Sequence, residues 1–112
     1  MENVISLEDF KKIDIVVGEI LSVEKIPNTD KLLKLSVDLG EAMPRVIVSG
    51  IALYFPDYSV LAGKKCMFVA NLAPRIIRGI ESQGMILAVS DLDGHFSLLS
   101  PNNDIPVGTQ AK

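Results

Sequence analysis

A chain of 112 residues, 48% apolar and 22% charged, is long enough to fold as one domain around one core, burying roughly two-thirds of the surface its unfolded form exposes. A single cysteine excludes an internal disulfide, and a lone cysteine and histidine without ligand spacing give no zinc site. No apolar run approaches the roughly 20 residues of a membrane helix and no signal peptide is visible, so a soluble, cytoplasmic protein with no membrane partner is expected. The net charge of −3 hides a polarity: residues 1–24 carry −4, residues 25–78 carry +4 and residues 79–112 carry −3. The basic middle can guide an anionic ligand although the whole molecule is acidic, and on charge alone it is equally a set of solvated surface cations.

Ser6 followed three residues later by Asp9 predicts a helix N-cap and a short helix through Phe10 and Lys11. Ile13 to Ile26, rich in Ile, Val and Leu and interrupted by Gly18, predicts a long first strand bent at the glycine. Pro27 to Asp30 has turn chemistry. Leu33, Leu35, Val37 and Leu39 then alternate with Lys34, Ser36 and Asp38, the pattern of a half-buried second strand. A third strand is expected at Arg45–Ser49, a short helical piece within Ile51–Ala62 limited by Pro56, a fourth strand at Lys65–Asn71 and a fifth at Met85–Ser90. Five short strands with a helical piece between the third and fourth fit an all-β, five-stranded Greek-key barrel of the OB type. An immunoglobulin-like sandwich needs seven strands and fits poorly.

Residues 1–112 thus read as one domain, with the barrel in 1–90 and an extension in 91–112. Phe96, Leu98, Leu99, Ile105 and Val107 are too apolar for a free tail. The chain carries more apolar material than a barrel of this size needs, so the extension is expected in a homodimer interface, the alternative being that it plugs its own barrel.

Catalysis requires a poised nucleophile, base or metal, and nothing here pairs into one, so no catalytic residue, metal or cofactor is expected. His95 follows the turn pair Asp93-Gly94 and reads as an exposed turn neighbour, and Cys66 reads as a small hydrophobe inside a strand. Binding chemistry is better represented. Between two apolar runs, the stretch Asn71–Met85 presents Arg75 and Arg78, whose planar donor forks suit phosphate oxygens, with Lys31 and Lys34 as mobile point charges elsewhere. Gly79 and Gly84 permit close backbone approach. Aromatic residues make up only 5%, with Tyr54, Phe55 and Tyr58 clustered in the helical insert, which favours recognition of shape and backbone over splayed bases.

The runs Asp14–Gly18, Pro27–Leu33, Val37–Gly40, Val48–Ile51, Asn71–Arg75, Arg78-Gly79 and Ser82–Met85 together resemble the tRNA-binding domain found at the C-terminus of methionyl-tRNA synthetases and as free-standing bacterial tRNA-binding proteins. The likeness spans nearly the whole chain. It implies an OB-fold homodimer that binds tRNA by its folded shape, without enzymatic activity of its own, in aid of a synthetase catalytic domain. It implies a contact surface at the barrel face and the Ser-x-Gly-Met motif, here Ser82, Gly84 and Met85 with Gln83 between, and matches further family positions at Asn28, Lys31, Ser49, Asn71, Arg75 and Arg78; Lys34 joins them on charge. Val16 stands where the family commonly has arginine. A secretion chaperone that binds unfolded preproteins and a purely structural synthetase dimerisation domain are the alternative functions.

Overall fold

Eleven residues rich in Ile and Val make the longest strand, β1 (Ile15–Lys25), and the rest of the barrel is arranged around it in the computed structural model, which describes residues 3–112. β2 (Leu33–Asp38) pairs antiparallel with β1, and β3 (Arg45–Ser49) with β2, so that Leu35 faces both Val23 and Ile47 across the ladders. The alternation in β2 is realised as expected: Leu33, Leu35 and Val37 are fully buried while Lys34, Ser36 and Asp38 lie on the outer face. β4 (Lys65–Val69) returns to the other side of β1, placing Phe68 opposite Val16. A hairpin of β5 (Arg75–Ile77) and β6 (Ile80–Ser82) follows, and β7 (Met85–Ile86) then adds to β4. The sheet order β3-β2-β1-β4-β7, all antiparallel, is the Greek-key order of a nearly closed OB-like barrel. Its core gathers Ile20, Leu33, Leu35, Ile47, Leu61 and Phe68, each fully buried and each worth about 1.5–3 kcal/mol on transfer from water.

The structure departs from the sequence expectations at four places. The first strand bends at a register shift between Ile20 and Ser22, whereas Gly18 makes room for the core, since a Cβ there would lie 2.6 Å from Leu39 and 2.7 Å from the Phe68 ring. The insert after β3 is two 3-10 turns, Ala52–Tyr54 and Tyr58–Leu61, on either side of Pro56. The fifth strand is broken at Leu87, because β7 pairs with β4 whereas β8 (Ala88–Ser90) turns away to pair with β9 (Phe96–Leu98). Finally, residues between Pro74 and Gly84, where no strand is expected, contain the β5–β6 hairpin. The helix α1 (Leu7–Phe10) is capped as expected, Asp9 N–H donating to Ser6 Oγ at 3.1 Å.

Residues 96–111 fasten to their own barrel. Leu99 donates to Leu87 O and accepts from Met67 N, while Gly108, Thr109 and Ala111 exchange backbone hydrogen bonds of 2.7–2.9 Å with Ile15 and Val17. Lys65 reaches Asp104 at 2.7 Å, and this pairing holds the Asp104 carboxyl below its ordinary pKa. Phe96, Leu98, Leu99, Ile105 and Val107 are accordingly half-buried, and the large apolar side chains left exposed include Val4, Ile5 and Leu7 before β1 and Val89 and Leu92 around β8. No helix among the described residues is long and apolar enough to cross a membrane.

Candidate nucleic-acid interface

Arg78 and Gly79 form the two-residue turn between β5 and β6, with φ of 52° and 78°. Two consecutive positive φ values define the type I′ turn that suits the twist of a hairpin, a geometry usually given to Asn-Gly. Placing arginine there costs about 1 kcal/mol of backbone strain and lifts a guanidinium to the tip of the hairpin.

The hairpin is held against β3 by the segment that follows it. Val48 N–H donates to Ser82 Oγ at 2.9 Å, Gln83 N–H donates to Val46 O at 2.8 Å, and Val46 N–H donates to Gln83 Oε1 at 3.2 Å. Ser82 is buried, and its own hydroxyl hydrogen points to Gly84 O at 3.4 Å. Gly84, at φ 146°, lies so close to Val69 O that a Cβ would approach it to 2.9 Å. These contacts close the barrel between β3 and β7. Arg45 bolts the seam: it donates to Ala70 O and to Gln83 O (3.1 Å) while pairing bidentately with Glu41 at 2.7 Å. The hydrogen bonds from Arg45, joined by its charge and opposed by slight burial, hold the Glu41 carboxyl below its ordinary pKa.

β6 runs antiparallel to β3, with Ser82 near Val48 and Gln83 beside Val46, so the hairpin tip is carried toward the Ser49 end of β3. At that end Ala52 N–H donates to Lys31 O at 3.0 Å, which brings the turn between β1 and β2 alongside, with Asn28 in it at φ 63°. Lys34 sits directly opposite Val48, and Val48 shares with Arg75, Ser82, Gly84 and Met85 the lining of a small cavity of about 90 Å³. The chain positions of Lys31, Lys34, Arg75 and Arg78 therefore lie around the outer face and the far end of β3. Among the described residues none of these four enters an ion pair, whereas Lys12, Arg45 and Lys65 do.

The expected site residues divide into two sets. Asn28, Lys31, Arg75, Arg78 and Met85 are exposed, and Lys34 and Ser49 are half-exposed at the patch. Ser82 and Gln83 spend their side chains on the β3 backbone, and Asn71 spends its amide on Asp14 N–H (2.8 Å) and Lys12 O (2.6 Å), tying the N-terminal arm to the end of β4. Their side chains position the hairpin and the arm. The role of Arg45 has no signal in the sequence, because its partners Ala70 and Gln83 are distant along the chain. Val16 packs against the core. Cys66 is fully buried, and burial raises its thiol pKa. Asp91, Asp93 and His95 bring ligand atoms within 4.8 Å of one another in the exposed turn before β9. The Asp91 oxygens are already occupied there by Asp93 N–H, His95 N–H and His95 Nδ1, so this cluster is the turn's own wiring.

Comparison with known proteins agrees with this geometry. The sequence family described as "Putative tRNA binding domain" matches residues 15–110. Methionine–tRNA ligase of Chloroherpeton thalassium is 47% identical over 108 residues, covering 96% of this chain, and that of Lactococcus lactis is 44% identical over 106 residues, covering 94%. The chain spans only about 15% of the length of the first and 16% of the second. Among solved structures, the MetRS related protein from Pyrococcus horikoshii superposes with a TM-score of 0.89 at 40% identity, covering 100% of both chains. The fold, the ordered motifs and these matches together place the chain in the tRNA-binding domain family that methionine–tRNA ligases share with such short MetRS-related proteins.

Proposed function

We propose that this domain binds tRNA by its folded shape, without catalysing a reaction, and works in the cytoplasm as an accessory to methionyl-tRNA synthesis, either attached to a synthetase catalytic domain or beside it. The observation that carries this is the set of four cations around β3, Lys31, Lys34, Arg75 and Arg78, which have no carboxylate partner among the described residues of an otherwise acidic molecule. Cations kept free and grouped on one surface fit phosphate neutralisation. We further propose that two copies associate through the exposed apolar side chains of the N-terminal arm, Val4, Ile5 and Leu7, together with the extension, where Leu92 is exposed. Light scattering of the isolated chain tests that assembly.

The RNA reading is tested by titrating tRNA at several salt concentrations. The logarithm of affinity should fall with the logarithm of salt by about 0.7–0.9 per neutralised phosphate, and Arg75→Ala with Arg78→Ala should flatten the slope by about 1–2. Equal slopes for wild type and double variant would overturn the reading. One observation favours a second reading. The chain matches the chaperone CsaA from Bacillus anthracis with a TM-score of 0.85 at 26% identity, covering 97% of this chain and 99% of that one. Capture of unfolded preprotein segments on the same surface would show as competition between such a peptide and tRNA.

A further inference from the structure

Tyr54, in the first 3-10 turn, lies parallel to Phe96 of β9, with ring centroids 4.0 Å apart and planes 7° from parallel. Phe55 meets Phe96 edge-on at 5.8 Å. Phe96 is thus the inner, half-buried ring, and Tyr54 is the outer one, 48% exposed. These three rings and Lys64 line a groove of about 460 Å³ with no carboxylate in its wall among the described residues, the nearest along the chain being Asp93 beside the lining residue Gly94. Among the described residues Lys64 enters no ion pair.

A half-exposed ring backed by a second ring at stacking distance suits a nucleobase, because every base offers a flat π-face and needs no hydrogen-bond readout to stack. A free lysine beside the ring suits the phosphate attached to that base. The groove also adjoins the cationic patch: Ala52, which begins the same 3-10 turn, is hydrogen-bonded to Lys31. An apolar peptide would match the rings and leave Lys64 without a counter-charge.

We propose that the outer face of Tyr54 receives one unpaired nucleobase of the bound RNA, with Lys64 on an adjoining phosphate. The site rests on the tRNA reading and adds to it a contact that recognises a single-stranded nucleotide next to the shape-recognising surface.

The test uses tyrosine emission, since the chain has two tyrosines and no tryptophan. In a Tyr58→Phe variant, Tyr54 is the sole emitter. Two RNA hairpins with the same stem are titrated, one blunt and one with a short unpaired 3′ extension. Only the extended hairpin should quench Tyr54. Tyr54→Leu should weaken binding of the extended hairpin about 5- to 100-fold and leave the blunt one unchanged, and Tyr54→Trp should retain tight binding. Unquenched emission at saturation, or equal losses on both hairpins, would overturn the site while leaving the tRNA reading intact. Failure of the wild type to bind either hairpin while it still binds tRNA would overturn the site alone, and failure to bind tRNA as well would overturn both. Self-association that disappears in Tyr54→Leu would assign the face to a second copy and overturn the site.

Discussion

Arg45 and the Arg75/Arg78 pair are the same residue type in neighbouring parts of the molecule, held in opposite settings. Arg45 stands three-quarters buried at the barrel seam with its guanidinium divided among Glu41, Ala70 O and Gln83 O. Arg75 and Arg78 stand exposed on a hairpin held against that seam, and no carboxylate among the described residues pairs with them. A cation count therefore does not measure binding capacity: what matters is which cations the fold has already consumed.

The sharpest way to break this contrast is Arg45→Ala. It should lower the denaturation free energy by about 2–3 kcal/mol, since two carbonyls lose a charged donor, and should weaken tRNA only as far as the seam loosens. If Arg45→Ala instead flattened the salt dependence of binding as the hairpin arginines are expected to, the division of labour would be wrong. Next comes the packing beneath the seam. Gly18→Ala should cost about 1–3 kcal/mol in chemical denaturation, because the added methyl meets Phe68 and Leu39 well inside contact distance. Ser82→Ala should cost a similar 1–3 kcal/mol by leaving the buried Val48 N–H without its acceptor, and an unchanged midpoint would return Ser82 to direct ligand contact.

Smaller effects sharpen the hairpin side. Arg78→Asn should raise stability by about 1 kcal/mol, because asparagine tolerates the left-handed conformation better, while tRNA affinity falls; stability and binding moving apart is the signature of strain kept for a ligand. Smallest is the pH response. The pKa values of Glu41, Asp91 and Asp104 are depressed by Arg45, His95 and Lys65 respectively, so the stability they add is present above their unfolded values and is lost as pH falls through the depressed folded ones. Denaturation midpoints should be level above pH ~5 and decline below pH ~4, and Glu41→Gln should shallow that decline slightly.

The barrel was legible in the sequence wherever burial was one-sided. Leu33, Leu35 and Val37 could form only a strand with one inner face, and Arg45–Ser49 emerged with the expected bounds. The β5–β6 hairpin was not legible, since its strands have three residues each and its turn uses arginine where the usual signal is asparagine. The break at Leu87 was hidden because Met85–Ser90 is uniformly apolar enough for one strand, and only pairing with β9 divides it. At the site, residue types and motif spacing picked out the candidate segments. They did not separate Ser82, Gln83 and Asn71, whose side chains serve the backbone, from the exposed cations, because hydrogen-bond partners 34 to 59 positions away leave no local trace.

The Ser82–Gln83 clasp gives the molecule a built-in reporter. The hairpin is clasped to the amides of Val46 and Val48, so a ligand that steadies it should slow hydrogen–deuterium exchange at those two positions ahead of any change elsewhere in the sheet. Ligand engagement and closure of the β-cylinder would then be one mechanical event, read out at two valines that need touch no nucleotide.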